Sequence, residues 1–377
     1  MSTQIMIISS VHTWNDTRIL FREAESLKSH YNVELHAVAS FKLRNHNGVE
    51  VVGLPNFPRW ARPASWIVLG WRAWRSSATV VHFHDPELLP LGVLLKFLGK
   101  KVIYDVHEDV CQDILQKVWL PKFMRAILCG IYRFWEYLGD SCLSAIIAVT
   151  EKIASGFHNP RTVVIKNYPP LEYFKTINRQ DYERLPSSSI RLVYVGSLNR
   201  NRGSICMIKA LSFLPQNCEY HLDIVGSFPE EKGLESDILS AAQPVAEHVT
   251  FHGRVEFPEA VEIMSRSNIG LICTQPTVND LSGLPLKLFE YMAAGLGVIV
   301  SDFPLWHQYL ESYPAHEFVD PTSPEMIGKG ISRLAEKLNN GNGVIEHDRR
   351  RVIEKFDWAP EGKKLLRLYS DILSGRL

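Results

Sequence analysis

The feature that most constrains this chain is an alternation of two kinds of segment, run through twice. Short runs that are apolar at nearly every position fall at Gln4–Ser10, Val33–Ala39, Val80–His84, Lys101–His107, Ala145–Thr150 and Val163–Lys166. Such runs suit strands buried on both faces of a sheet. Between them, Thr17–His30 puts Ile19, Leu20, Ala24 and Leu27 on one helical face, and Pro86–Leu98 is a second amphipathic stretch. The pattern restarts with Arg191–Gly196, His221–Gly226, Val249–His252, Gly270–Thr274 and Val298–Ser301, separated by helical stretches near 203–214, 257–267, 284–294 and 323–338. Strand–helix–strand alternation predicts a parallel, doubly wound α/β sheet, and its repetition predicts two Rossmann-like domains facing across a cleft. The polar, turn-rich stretch 168–189 marks the boundary. The expected division is 1–168 plus a C-terminal helix over residues 356–377, then 169–355.

Length and composition agree with this and exclude other classes. A chain of 377 residues, 46% hydrophobic and 22% charged, builds two ordinary soluble domains. Lys+Arg and Asp+Glu both total 41, so the chain lacks the basic excess expected of a nucleic-acid binder. Its six cysteines form no Cys-x-x-Cys pair and no zinc spacing with histidine, and scattered thiols suit a reducing compartment. The N-terminus lacks the basic and apolar regions of a signal peptide, and no apolar run reaches the ~18 residues of a membrane span. A cytoplasmic protein is expected.

Two stretches carry the chemistry. Residues 193–203, VYVGSLNRNRG, are a buried strand that ends in Gly196, passes through Ser197, Arg200 and Arg202, and enters a helix. Backbone N–H groups at a helix start and forked arginine donors both favour phosphate oxygens. No Gly-Lys-Ser/Thr P-loop sequence is present. Residues 281–302 form a loop containing Ser282, Gly283, Leu284 and Pro285, then a helix carrying Lys287 and Glu290, then Gly295, Gly297 and a buried strand. A loop running into a helix N-terminus can hold phosphate or sugar oxygens, and a carboxylate one or two turns on can accept bonds from ribose hydroxyls.

The segment 283–295, GLPLKLFEYMAAG, resembles the nucleotide-sugar signature of glycosyltransferase family 4, retaining enzymes of the GT-B fold found in bacterial polysaccharide and glycolipid synthesis. Its companions occur in order: HFHDPELLP at 82–90, VIYDVHED at 102–109, VIKNYP at 164–169, FHGRV at 251–255 and FDW at 356–358. The resemblance implies that Glu290, the second glutamate of the family's Glu-x7-Glu motif, binds the donor ribose. Arg202, where the family usually has lysine, is implied at the diphosphate, with Gly196, Ser197, Leu284 and Lys287 nearby. Arg254 and Val255 are implied at the nucleotide base, and His107 at the transferred sugar, so His107, Arg202 and Glu290 form the implied catalytic set. The chain departs from the pattern in three places. Ser282 replaces the first motif glutamate, Ser197 the arginine after the strand-end glycine, and SSVHTWNDTR at 9–18 the N-terminal Gly-Gly loop. Arg200 is the nearest substitute for the missing arginine. The implied donor is a nucleoside-diphosphate sugar, with no separate cofactor. No Asp-x-Asp motif is present, so no metal is expected.

On the acceptor side, Asp16, His84 and Asp85 stand at N-domain strand ends. Residues 59–75 hold four of the nine tryptophans and four arginines, and no acidic residue lies between Val51 and His84. With Lys117–Trp135, which has similar chemistry, this stretch suits peripheral contact with an anionic cytoplasmic membrane and a lipid-linked acceptor. Two other readings fit the same fold: a UDP-releasing sugar-nucleotide epimerase, and a non-catalytic sugar-nucleotide-binding protein.

Overall fold

The computed structural model describes residues 3–116, 120–170, 172–175, 189–215, 218–228, 231–277, 285–340 and 346–376. The chain divides into two compact units, Met1–Asn167 with Trp358–Leu377, and Tyr168–Asp357.

The first unit is built on β1 (Gln4–Thr13), β2 (Asn32–Val38), β3 (Leu43–His46), β4 (Val49–Leu54), β5 (Val80–Phe83), β6 (Lys101–Val106), β7 (Ala145–Ala148) and β8 (Thr162–Val164). Their order in the sheet is β3-β4-β2-β1-β5-β6-β7-β8. All neighbours are parallel except β3 and β4, an antiparallel hairpin that the sequence reading passed over. Its turn is Asn47-Gly48, both at positive φ, as a two-residue type I′ turn requires. Ile5, Met6, Ile7 and Ile8 are fully buried because β1 pairs with both β2 and β5 and its faces are covered. The register of β1 shifts between Ile8 and Thr13, an irregularity within the stretch that stands in place of the family's Gly-Gly loop. The chain after β1 builds outward on one side through β2, then returns to build on the other through β5. The ends of β1 and β5 are therefore a topological switch point, where open α/β sheets take ligands.

The helix expected at 17–30 is a π-helical segment, Ile19–Ala24, continuing into Glu25–Leu27. Ile19, Leu20, Ala24 and Leu27 are buried as expected, and so are Arg22 and Glu23. The C-terminal helix Trp358–Ser374 is tied to the same unit. Trp358 Nε1–H donates to Ser26 Oγ at 2.8 Å, and Lys101 Nζ donates to the carbonyls of Ile372 and Leu373 at its last turn.

Among the described residues the second unit has six strands, all parallel: β9 (Ser189–Val195), β10 (Glu219–Val225), β11 (Val249–Gly253), β12 (Ile269–Ile272), β13 (Gly297–Ser301) and β14 (His316–Val319), in the order β11-β10-β9-β12-β13-β14. Its switch point lies between β9 and β12. Among the described residues no helix is long and apolar enough to cross a membrane.

Candidate functional site

In the second unit the strand ends make a glycine-lined edge. Gly196, Gly226 and Gly253 follow or end β9, β10 and β11, all at positive φ. The Gly226 N–H donates to the Gly253 carbonyl at 2.7 Å and the Gly196 N–H to the Val225 carbonyl at 2.8 Å. A Cβ on Gly226 would lie 1.9 Å from the Gly196 carbonyl oxygen, so the close approach of these loops depends on the missing side chain.

Two cations converge on Gly196. A Cβ there would lie 2.9 Å from Lys287 Nζ and 3.2 Å from an Arg202 guanidinium nitrogen. Arg202 comes from the loop that enters the helix Ser204–Ala210 through Gly203, with its own N–H donating to Asn199 Oδ1 at 2.8 Å. Lys287 comes from the helix Leu286–Ala293 and is buried, its Nζ 4.1 Å from the centre of the Tyr194 ring. Burial, and then the charge of Arg202, hold the Lys287 ammonium well below its ordinary pKa. Neither cation is ion-paired with a described residue. The Tyr194 hydroxyl donates to the Ser197 carbonyl at 3.0 Å and holds the loop in place. Sequence reasoning missed Tyr194, whose only signal is an aromatic residue just before the strand-end glycine.

Glu290 lies one turn beyond Lys287 and is buried, so it is not a surface carboxylate. Arg254 and Val255 follow Gly253 at the end of β11, beside the glycine edge. Arg200 has another use for its donors. It is exposed and pairs with Glu231 at 3.1 Å and Asp237 at 2.8 Å, a competing engagement for the charge expected at the diphosphate. Ser282, Gly283 and Leu284 lie outside the described residues.

In the first unit, the ends of β1, β5 and β6 gather a network of ionisable groups. Asp105 Oδ2 lies 2.8 Å from Arg18 Nε, 3.1 Å from His107 Nε2 and 3.3 Å from His84 Nδ1. The Arg18 guanidinium grips both Asp105 oxygens and also reaches Glu23 Oε1 at 3.0 Å. Arg18, Glu23, His84 and Asp105 are buried, while His107 keeps 27% of its side chain exposed. Burial and the neighbouring Asp105 raise the Glu23 pKa. Burial opposes the Asp105 charge, but Arg18 and His107 outweigh it and hold Asp105 well below the usual carboxylate range. Glu23 is therefore the protonated member and Asp105 the charged one. Glu23, His82, His84 and Asp105 bring four ligand-type atoms within 4.8 Å of one another. The cation already there is Arg18.

Two of the residues expected on the acceptor side are enclosed by the fold. His84 and Asp85 are buried and engaged. Asp85 Oδ2 accepts from Ser9 Oγ at 2.8 Å and from the Ser10 N–H at 2.6 Å, so it holds the irregular part of β1. Asp16 keeps partial exposure and starts the π-helical segment by accepting from the Arg18 and Ile19 N–H groups. It also meets His12 Nδ1 at 3.2 Å. Burial alone would lower the His12 pKa, but the Asp16 bond and the charges of Asp85 and Asp16 raise it to about 9. His12, Arg18 and Glu23 were not predicted as site residues. Their partners are remote in sequence, and a lone basic or acidic residue in an apolar run is the only local hint.

The first unit also exposes apolar side chains on three helices, Arg62–Arg75, Leu89–Phe97 and Lys122–Cys142. Ile67, Trp71, Trp74, Phe97, Phe123, Ile127, Ile131, Phe134 and Tyr137 are all more than half exposed, as is Trp60 in the turn before the first helix. Trp66 and Trp135 pack against the core instead. A Cβ on Gly70 would lie 2.8 Å from Leu91, and one on Gly139 would lie 3.0 Å from Leu89, so these glycines let the middle helix pack closely against the other two. Residues 117–119 lie outside the described residues.

Comparison with known proteins agrees with the motifs. Residues 189–337 match the family described as Glycosyl transferases group 1. The chain is 23% identical over 350 residues to an uncharacterized glycosyltransferase of Methanocaldococcus jannaschii, covering 89% of this chain and 87% of that protein. Among solved structures it is similar to sucrose-phosphate synthase from Thermosynechococcus elongatus, with TM-score 0.73, 16% identity, and coverage of 99% of this chain and 100% of that one. It is also similar to HepE of Anabaena in complex with UDP-glucose, with TM-score 0.70, 14% identity, and coverage of 98% and 99%. The fold is GT-B.

Proposed function

We propose that this chain, a glycosyltransferase of the GT-B type, moves a sugar from a nucleoside-diphosphate sugar to a hydroxyl of a glycan or lipid-linked acceptor, with retention of anomeric configuration, in cell-surface polysaccharide synthesis. The observation that carries the donor half is the convergence of Arg202 and Lys287 on Gly196 at the switch point of the second sheet. Two cations brought together without a described carboxylate partner favour a polyanion between them. Glu290, one turn on, is the acceptor for the ribose hydroxyls. A diphosphate gains negative charge as it leaves, and fixed cations at that point stabilise the transition state more than the ground state.

In the proposed reaction the anomeric C–O bond to phosphate breaks. The acceptor oxygen bonds to the same face of that carbon, and the acceptor proton passes to the departing diphosphate. Arg202 and Lys287 neutralise the leaving group without requiring a metal ion, and His107 makes a polar contact with the transferred sugar. The solved relative with UDP-glucose makes a uridine donor the first to try.

The test is thermal-shift screening with UDP-, GDP-, dTDP- and ADP-sugars, since a ligand at 100 times its Kd stabilises by about 2.7 kcal/mol. Acceptor-dependent release of the nucleotide follows. One donor should raise Tm, and Glu290→Gln should abolish that shift. Nucleotide release at full rate without acceptor would point to the epimerase reading. Donor binding without turnover would point to a binding protein.

The exposed aromatic and apolar side chains of the first unit, with Arg62, Arg72, Arg75, Lys122, Arg125 and Arg133 on the same helices, support peripheral binding to an anionic cytoplasmic membrane. Along Lys122–Cys142, Phe123, Ile127, Ile131 and Phe134 fall on one stripe. Co-sedimentation with phosphatidylglycerol vesicles should be strong for the wild type and weak when these arginines are reversed to glutamate. Negligible binding by both would end this reading.

A further inference from the structure

Asp105 stands between a buried arginine and the partly exposed His107. Its carboxylate is gripped through both oxygens by Arg18, at 2.8 Å and 3.1 Å, which keeps it ionised and fixes its plane. An ionised carboxylate only accepts hydrogen bonds. His107 Nε2 lies 3.1 Å from Oδ2, where a proton on that nitrogen would join the two. The same nitrogen lies 3.3 Å from His84 Nδ1. His107 Nδ1 has no partner among the described residues.

We propose that Asp105, held by Arg18, fixes His107 as the Nε2–H tautomer, so that Nδ1 meets the substrate as a hydrogen-bond acceptor and selects a sugar hydroxyl as its donor. Asp105 and Arg18 are positioning residues in this scheme. They do not touch substrate but decide which nitrogen of His107 is free to accept. Glu23, with its raised pKa, adds no second negative charge beside Asp105 and leaves Arg18 committed to it. The proposal rests on the reading that His107 contacts the transferred sugar.

The test combines a tautomer readout with kinetics. Long-range 1H–15N correlation spectra of the full chain report which imidazole nitrogen is protonated, with the His107 signals assigned by their loss in His107→Gln. The wild type should show Nε2–H. In Asp105→Asn an amide can donate toward Nε2, so the tautomer should switch to Nδ1–H, while kcat falls by roughly ten- to a hundredfold, the cost of one mismatched hydrogen bond, and donor KM changes little. A wild-type Nδ1–H signal, or a folded Asp105→Asn with unchanged tautomer and kcat, would overturn the proposal. If that variant does not fold, the wild-type spectrum decides alone. Full turnover by His107→Gln would instead remove the sugar contact while leaving the tautomer assignment standing, so the two failures are distinguishable.

Discussion

Lys287 concentrates the physical logic of the donor site in one side chain. An ammonium buried beside a guanidinium is disfavoured, and its pKa is depressed by burial first and by Arg202 second. Its described surroundings are Arg202, Tyr194, Glu290 and Cys273, of which only Glu290 and Cys273 oppose the depression. A bound diphosphate would bring negative charge between the two cations and reverse the balance. Donor binding should therefore raise the Lys287 pKa and be coupled to proton uptake. Calorimetry in two buffers of different ionisation enthalpy measures this, and Lys287→Met should remove the uptake and weaken binding by roughly tenfold or more. The same residue marks the limit of sequence reading. Its place in the loop-to-helix segment was legible from the motif. Its depressed pKa was not, because Arg202 and Tyr194 reach it from a different strand and loop.

At the level of elements, the strand-to-helix loops set the geometry of the site. Gly203 begins the helix Ser204–Ala210 at φ +70°, and a Cβ there would lie 2.0 Å from the Cys273 carbonyl oxygen. Gly253 has a similar φ of +69° but open space around it. Gly253→Ala should cost only the backbone strain, about 1 kcal/mol. Gly203→Ala should cost about 2–3 kcal/mol, because the clash adds to the strain, and should also displace Arg202 and reduce donor affinity. Chemical denaturation of both variants, with donor titration, checks the contrast. Some elements were readable and passed over. The Asn47-Gly48 turn between Leu43–His46 and Val49–Leu54 is a strong hairpin signal. The π-helical form of Ile19–Ala24 was not readable, because the buried partners of Arg18 and Glu23 come from β5 and β6.

At the scale of the whole molecule, the two units carry different electrostatic burdens, and in the first a histidine links stability to pH. His12 has a folded pKa near 9 against an ordinary 6.5, raised despite burial by Asp16 and Asp85. A raised pKa means that the native state holds its proton where the unfolded chain has released it. Its stabilising contribution is fully present below pH 6.5 and is lost as pH rises through about 9. The advantage in Tm of the wild type over His12→Gln should be largest below pH 6.5 and should vanish well above pH 9, as a thermal-unfolding series across pH would measure. Asp16 has the opposite sign. Burial would raise its pKa, but the bond and charge of His12 and the Ile19 and Arg18 N–H groups together lower it, so its contribution is lost as pH falls through the folded value.

The sequence by itself determined the layers of this protein, the strand-end glycine at Gly196 and the helix that carries Glu290. These depend on local periodicity and on turn chemistry within a few residues, which a linear string contains. Only the tertiary structure decided which charges meet. Arg18 and Asp105 are 87 residues apart, and Tyr369 meets His82 across 287 at 2.9 Å. Strand order made the first pair neighbours, by placing β1 beside β5 and β5 beside β6. Exposure was decided in the same way. The tryptophans at 60, 71 and 74 read equally well as core or as surface, and the packing of their helices left them outward. Burial and pKa depend on three-dimensional distance, and sequence separation carries no information about that distance until the sheet order is known.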